Sequence, residues 1–239
     1  MTARSLPLTL SLPAGGSVSA LLDTPPSPHA CYVFAHGAGA GMQHAFMGSL
    51  AHALVVRGMA TLRFQFPFME AGTRRPDPPA VAQAAVRAAV DEAARRLPGV
   101  PLFAGGKSFG GRMSSQAQAA QALPRVAGLV FVGFPLHPAG KPSTARADHL
   151  AEVPLPMLFL QGTRDALAEM KLVRAVVPAL GARATLHVVE GADHAFHVLA
   201  RSGRTDGEVI EELADAIAAW VRALQALCAG ADGRAPPAA

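Results

Sequence analysis

The segment Gly106-Lys107-Ser108-Phe109-Gly110 fits the pattern G-x-S-x-G, with Gly105 and Gly111 on either side. A serine there becomes a nucleophile if the chain turns sharply from a strand into a helix at that point. So tight a turn strains the serine and leaves no room for side chains next to it, and the surrounding glycines supply that room. The start of the following helix then points at the serine and favours negative charge. Gly106-Lys107-Ser108 is also the ending of a phosphate-binding loop, but that loop needs a glycine at position 101, where this chain has Pro101.

A serine hydroxyl needs a base to take its proton, and histidine is the side chain whose ordinary pKa lies near neutrality. Nine histidines are present, so presence alone selects none. His194 stands out by position, in Gly191-Ala192-Asp193-His194-Ala195-Phe196 after the last apolar strand run, with His197 as a nearby competitor. A carboxylate must fix the tautomer of that histidine. Asp165, in Gln161-Gly162-Thr163-Arg164-Asp165, also follows a strand run and gives the chain order Ser, Asp, His. Two other readings stand beside it. Asp165 would also suit the N-cap of a helix starting at Ala166, and Asp148 is a rival acid. Asp193, adjacent to His194, is badly placed to reach its ring.

Acyl transfer also develops negative charge on oxygen, which backbone N–H groups must meet. Phe109, the residue after the candidate nucleophile, is one expected donor. The other is expected from His36-Gly37-Ala38-Gly39, with Ala38, or Gly37 beside it, in position. His36 itself reads as a structural loop residue. Phe66, Phe68 and Met69 follow another strand end, so they are expected either to shape a substrate pocket or to plug the core.

The elements that must position these residues follow from the apolar pattern. Leu6–Leu12 and Ser17–Leu22 alternate around Pro13–Gly16 and predict a hairpin within about residues 5–23. Strands are expected at Ala30–Ala35, Ala60–Gln65, Pro101–Ala104, Val126–Val132, Pro156–Gln161 and Ala184–Val189. Helices are expected at Ala45–Arg57, Ala80–Leu97, Arg112–Leu123, Ala166–Val177 and Asp206–Ala226, with loops at Phe66–Pro79 and Phe134–Pro154 and fraying from Gly230. This alternation implies a mostly parallel sheet with helices on both faces and ligands bound past the strand ends. The segment Phe134–Pro154 is short enough for one loop, so no large cap domain is expected, and the substrate is expected to be small or bound in an open groove.

Composition narrows the class. The 239 residues suit one domain, and 51% hydrophobic content supports a sizeable core. A net charge of +4, spread over scattered arginines, makes no nucleic-acid arm. Two cysteines build no disulfide framework, and no Cys/His spacing suggests a zinc finger. No apolar run is long enough to span a membrane and the N-terminus lacks a signal core, so the cytoplasm is the expected address. Oligomeric state is not written in these patterns.

The loops HGAGAG, RFQFPFM, GGKSFGGR and GADHAF together resemble bacterial α/β-hydrolase-like proteins related to the KANL3/Tex30 group, and more distantly the dienelactone hydrolases. The likeness runs from about Ala30 to Trp220, and GGKSFGGR is its most specific part. It implies an α/β-hydrolase core with Ser108, Asp165 and His194 as a catalytic triad. Dienelactone hydrolases carry cysteine where this chain has Ser108. The expected activity is that of a serine esterase acting on a small acyl substrate, with no metal or organic cofactor. The alternative is a catalytically idle scaffold of the same fold used for protein contacts.

Overall fold

In the computed structural model, which describes residues 4–232 with side chains through residue 228, the apolar runs form the middle of one eight-stranded sheet. β3 (Ala30–Ala35), β4 (Met59–Phe64), β5 (Leu102–Lys107), β6 (Val126–Val132) and β7 (Met157–Gly162) are buried along nearly their whole length. The hairpin β1 (Arg4–Ser11) and β2 (Ser17–Thr24) lies at one edge and β8 (Ala184–Val189) at the other. The spatial order is β1-β2-β4-β3-β5-β6-β7-β8. Pairings from β4 to β8 are parallel, while β1–β2 and β2–β4 are antiparallel.

Side chains alternate across this sheet, as extended backbone requires. Cys31, Val33 and Ala35 face a core shared with α3 (Pro79–Arg96), α4 (Phe109–Ala120) and α5 (Met170–Ala179). Ala30, Tyr32 and Phe34 face a second core built on α1 (Ala45–Val56) and α6 (Asp206–Asp232). Two apolar layers therefore sandwich the sheet. Cys31 is buried and Cys228 exposed, both as free thiols.

Order reverses around β3. The chain leaves β3 through α1 on one face and β5 through α4 on the other. A crevice must open where the two exits diverge, past the carboxyl ends of those strands.

Several boundaries differ from the expected ones. β5 runs on through Lys107, because Gly105 and Gly106 let its neighbours stay paired, with Ala35 opposite Gly106 and Val132 opposite Lys107. α4 begins at Phe109 rather than Arg112. The expected loop Phe66–Pro79 contains a one-turn helix, α2 (Pro67–Glu70), started by a proline at its first position. The helix expected from Ala166 starts at Met170, so Asp165 does not cap it. α6 carries on to Asp232, so residues 230–232 are helical; the rest of the expected frayed tail lies outside the described residues. Between β6 and β7 there is only a 3-10 segment, Ala145–Glu152, and no cap domain. Among the described residues, no helix is long and apolar enough to cross a membrane.

Candidate active site

Ser108 sits at the junction of β5 and α4 with φ 50° and ψ −112°, a conformation that side chains avoid. Its N–H donates to Val132 O at 3.1 Å and its carbonyl accepts from Arg112 N at 3.1 Å. Both backbone groups are thus held, one by the sheet and one by the helix. The turn is possible only because Gly106 and Gly110, two positions away on either side, are bare. A Cβ on Gly106 would lie 2.2 Å from Ala35 O, and one on Gly110 2.5 Å from the same oxygen. Although Ser108 occupies the N-cap position, its side chain caps nothing. The hydroxyl is turned instead toward His194, with Oγ 2.8 Å from Nε2.

On its other side, the His194 ring meets Asp165, with Nδ1 2.7 Å from Oδ2. Asp165 is buried, and a buried carboxylate needs donors. Leu167 N–H supplies one to Oδ1 at 2.8 Å, and the buried Gln161 amide donates to Oδ2. With the carboxylate accepting from Nδ1–H, Nε2 is left free to accept the Ser108 proton.

Gln161 was not singled out by sequence reasoning. Its only signal is its place at the end of β7, four residues ahead of Asp165.

The loops carrying Asp165 and His194 are laced together. Thr163 N–H donates to Val189 O at 3.1 Å and Arg164 N–H to Ala192 O at 2.9 Å. A Cβ on Gly162 would come within 2.3 Å of Ala192 O, so that glycine sets how closely the loops approach. Asp193 serves as a turn former, accepting from Ala195 N at 2.9 Å and His197 N at 3.0 Å. His197 is paired with Asp206 at 2.5 Å, not with the serine.

Lys107, just before the serine, is a second residue that the motif alone left without a role. Its Nζ donates to the main-chain carbonyl of His194 and lies 5.6 Å and 5.0 Å from the ring centroids of Phe46 and Phe196. Burial pushes its amine down to about 8 from an ordinary 10.5, with the Asp165 and Asp193 carboxylates opposing the shift.

Ser108 and His194 open onto a cavity of about 760 Å³, a size ordinary for a small-molecule site. The glycine-rich loop Gly37–Ala40 forms one wall, and Phe46, Met47, Phe196 and Ile210 supply apolar surface. Ala38 therefore lies on the cavity. Among the described hydrogen bonds, none is donated by the N–H of Ala38 or of Phe109.

The sequence match settles what kind of protein carries this arrangement. A family model described as an alpha/beta hydrolase domain matches residues 28–222. The chain belongs to the α/β-hydrolase family. Solved structures of other proteins share the fold at low identity. A dienelactone hydrolase from Anabaena variabilis superposes with a TM-score of 0.74 at 18% identity, over 90% of this chain and 97% of that one. A Xanthomonas campestris protein, a member of the a/b serine hydrolases without lid, gives 0.70 at 23%, over 92% and 96%. A Thermus thermophilus protein, TT1662, gives 0.65 at 25%, over 90% and 99%.

In this α/β hydrolase the residues expected to shape the pocket from the Phe66 loop stand elsewhere. Phe66 and Phe68 are buried in the core on the α3–α4 side, with Met69 packed against it, and none of the three lines the cavity. Their rings pack against Phe109 at centroid distances of 5.2 Å and 6.1 Å. Of the two roles open to them, core plug is the one they occupy, because α2 turns them inward against α4.

His36 locks the same region. Its Nε2 accepts from Phe66 N at 3.0 Å and its Nδ1 donates to Gly37 O at 2.7 Å. Burial lowers its pKa, so the neutral ring ties the glycine-rich loop to α2.

Proposed function

We propose that this α/β hydrolase is a serine esterase. In this reading Ser108 is the nucleophile, His194 the general base and acid, and Asp165 the residue that orients and charge-balances the histidine. One observation carries it. An unbroken hydrogen-bond line runs from Ser108 Oγ through His194 to the buried Asp165, and its serine end opens on a cavity.

The chemistry follows from the positions. His194 Nε2 takes the Ser108 proton as Oγ attacks the acyl carbon. The developing oxyanion is met by the N–H groups of Phe109 and Ala38. His194 returns the proton to the leaving oxygen, and water, activated by the same histidine, releases the acid from the acyl-enzyme. The strain at Ser108 keeps Oγ out of the helix cap and available to the histidine. The partner is a small acyl substrate.

The test is covalent labelling. A fluorophosphonate probe should modify the protein at one site, Ser108, as located by peptide mass spectrometry. Ser108→Ala should abolish the labelling and His194→Ala should slow it greatly. A folded protein that resists both this probe and a smaller sulfonyl fluoride is the idle scaffold instead.

A further inference from the structure

We propose that the cavity beside Ser108 receives the leaving alcohol, so that the substrates are uncharged esters joining a short acyl group to a bulky apolar alcohol. The proposal rests on the esterase reading and adds which half of the ester the enzyme recognises.

The first reason is the direction of proton transfer. Attack forms the bond from Ser108 Oγ to the acyl carbon and moves the hydroxyl proton to His194 Nε2. Collapse then breaks the bond from acyl carbon to alcohol oxygen, and that oxygen takes the proton from the same nitrogen. Water then enters, and the acyl group leaves as a carboxylic acid with Ser108 restored. The alcohol must therefore depart along the His194 side. That side opens on the cavity, which Gly37–Ala40 closes on another wall. Ala195, Phe196 and His197 continue from the histidine as cavity wall, and Ile210 of α6 faces them.

The second reason is what closes the other side. The ring of Phe109, next to the nucleophile, is packed edge-on against Phe66 at 5.2 Å and Phe68 at 6.1 Å, both buried. None of the three contributes to the cavity wall. A long acyl chain directed toward Phe109 would have to displace packed aromatic rings, which close-packed interiors resist.

The third reason is charge. Phe46 and Phe196 stack at 5.7 Å with 23° between their planes and form an apolar wall suited to a ring or branched group. Charged residues around the cavity are already engaged. Lys107 holds the His194 carbonyl, Glu211 pairs with Arg57 at 2.8 Å, and Asp206 pairs with His197. A charged substrate group would meet no unpaired carboxylate or ammonium on this wall.

Two isomeric esters separate the halves. Benzyl acetate and methyl phenylacetate have the same atoms and differ only in which side of the ester bears the ring. The expected result for the wild-type protein is a kcat/KM for benzyl acetate at least about tenfold above that for methyl phenylacetate, the size of effect a matched apolar pocket gives. Ile210→Trp should fill the cavity and lower kcat/KM for benzyl acetate about tenfold more than for ethyl acetate. Fluorophosphonate labelling is run on the same samples. If Ser108 is labelled but the isomer preference is absent or reversed, this proposal falls and the esterase reading stands. If Ser108 is not labelled and neither ester is cleaved, both fall. Equal losses on the two esters in Ile210→Trp would also overturn the assignment of the cavity. The wild-type isomer ratio decides the matter even if that variant does not fold.

Discussion

Two serine–histidine contacts in this molecule have the same length and different surroundings. Ser108 meets His194 at 2.8 Å, and Ser115 meets His149 at 2.8 Å. Ser108 stands in a strained turn at a strand end, on a cavity, with a histidine whose far nitrogen meets a buried carboxylate. Ser115 lies within α4, fully buried, and its hydroxyl also has the Arg112 carbonyl within reach at 3.0 Å. A hydroxyl has one proton to give. That proton has two acceptors within reach, Arg112 O and His149 Nε2, and among the described hydrogen bonds none holds the far nitrogen of His149. Burial and the Arg112 guanidinium further hold the His149 pKa down, against Asp148. Proximity alone makes no nucleophile, and the two pairs differ in the backbone around the serine and in the partner behind the histidine.

The largest way to break this comparison is to remove each hydroxyl in turn. Ser108→Ala should lower ester hydrolysis by about 10⁶, as when the serine of a working triad is lost. Ser115→Ala should keep the wild-type rate. A Ser115→Ala variant that folds but hydrolyses nothing, measured in the same assay, would reverse the assignment of the two pairs.

Next come the acids. Asp165→Asn should cost about 10⁴ in kcat, the loss seen when a triad carboxylate becomes an amide. Asp148→Asn should leave kcat unaltered. Thermal melts would check that both remain folded. An inactive Asp148→Asn beside an active Asp165→Asn would show that the wrong carboxylate had been chosen.

Lys107 sharpens the contrast, because it holds the His194 backbone by a carbonyl hydrogen bond. Lys107→Met should lower kcat about tenfold, within the range that a lost positioning contact costs. It should also change how stability depends on pH. The folded amine titrates near 8 and the free one near 10.5. Between those values the unfolded chain binds the extra proton, so wild type gains stability as pH rises through that window. Denaturant midpoints should therefore show wild type gaining on Lys107→Met from about pH 8 to about pH 10.5. A constant difference across that range would mean the amine is not held in a desolvated site.

The smallest effect belongs to the structural pair. His149→Ala leaves the Ser115 hydroxyl with its backbone acceptor, so it should cost only about 1 kcal/mol of stability and nothing in rate. Urea unfolding and the ester assay, done together, would measure both.

Much of the fold was legible in the chain, because its determinants are local. Ala30–Ala35, Val126–Val132 and Ala184–Val189 were bounded correctly from apolar runs alone. The glycines around Ser108 announced a sharp turn, since only a bare Cα tolerates the approach of Ala35 O. Where local signals compete, the sequence left two roles open. Asp165 looks equally like a helix cap and a triad acid, and the later start of α5 left it free for His194.

By itself, then, the sequence determined the strand–helix alternation, the turn at Ser108 and the order of the Ser, Asp and His loops. Tertiary structure decided the contacts between residues far apart in the chain. Ser108 and His194 are 86 positions apart, and Lys107 reaches the same loop across 87. It also decided that Phe66 and Phe68 fill the core while Phe46, Phe196 and Ile210 wall the cavity. All five are apolar residues at or near the ends of elements, and sequence periodicity treats them alike. What separates them is which face of the sheet each helix crosses, and that follows from the order of strands, which no short segment carries.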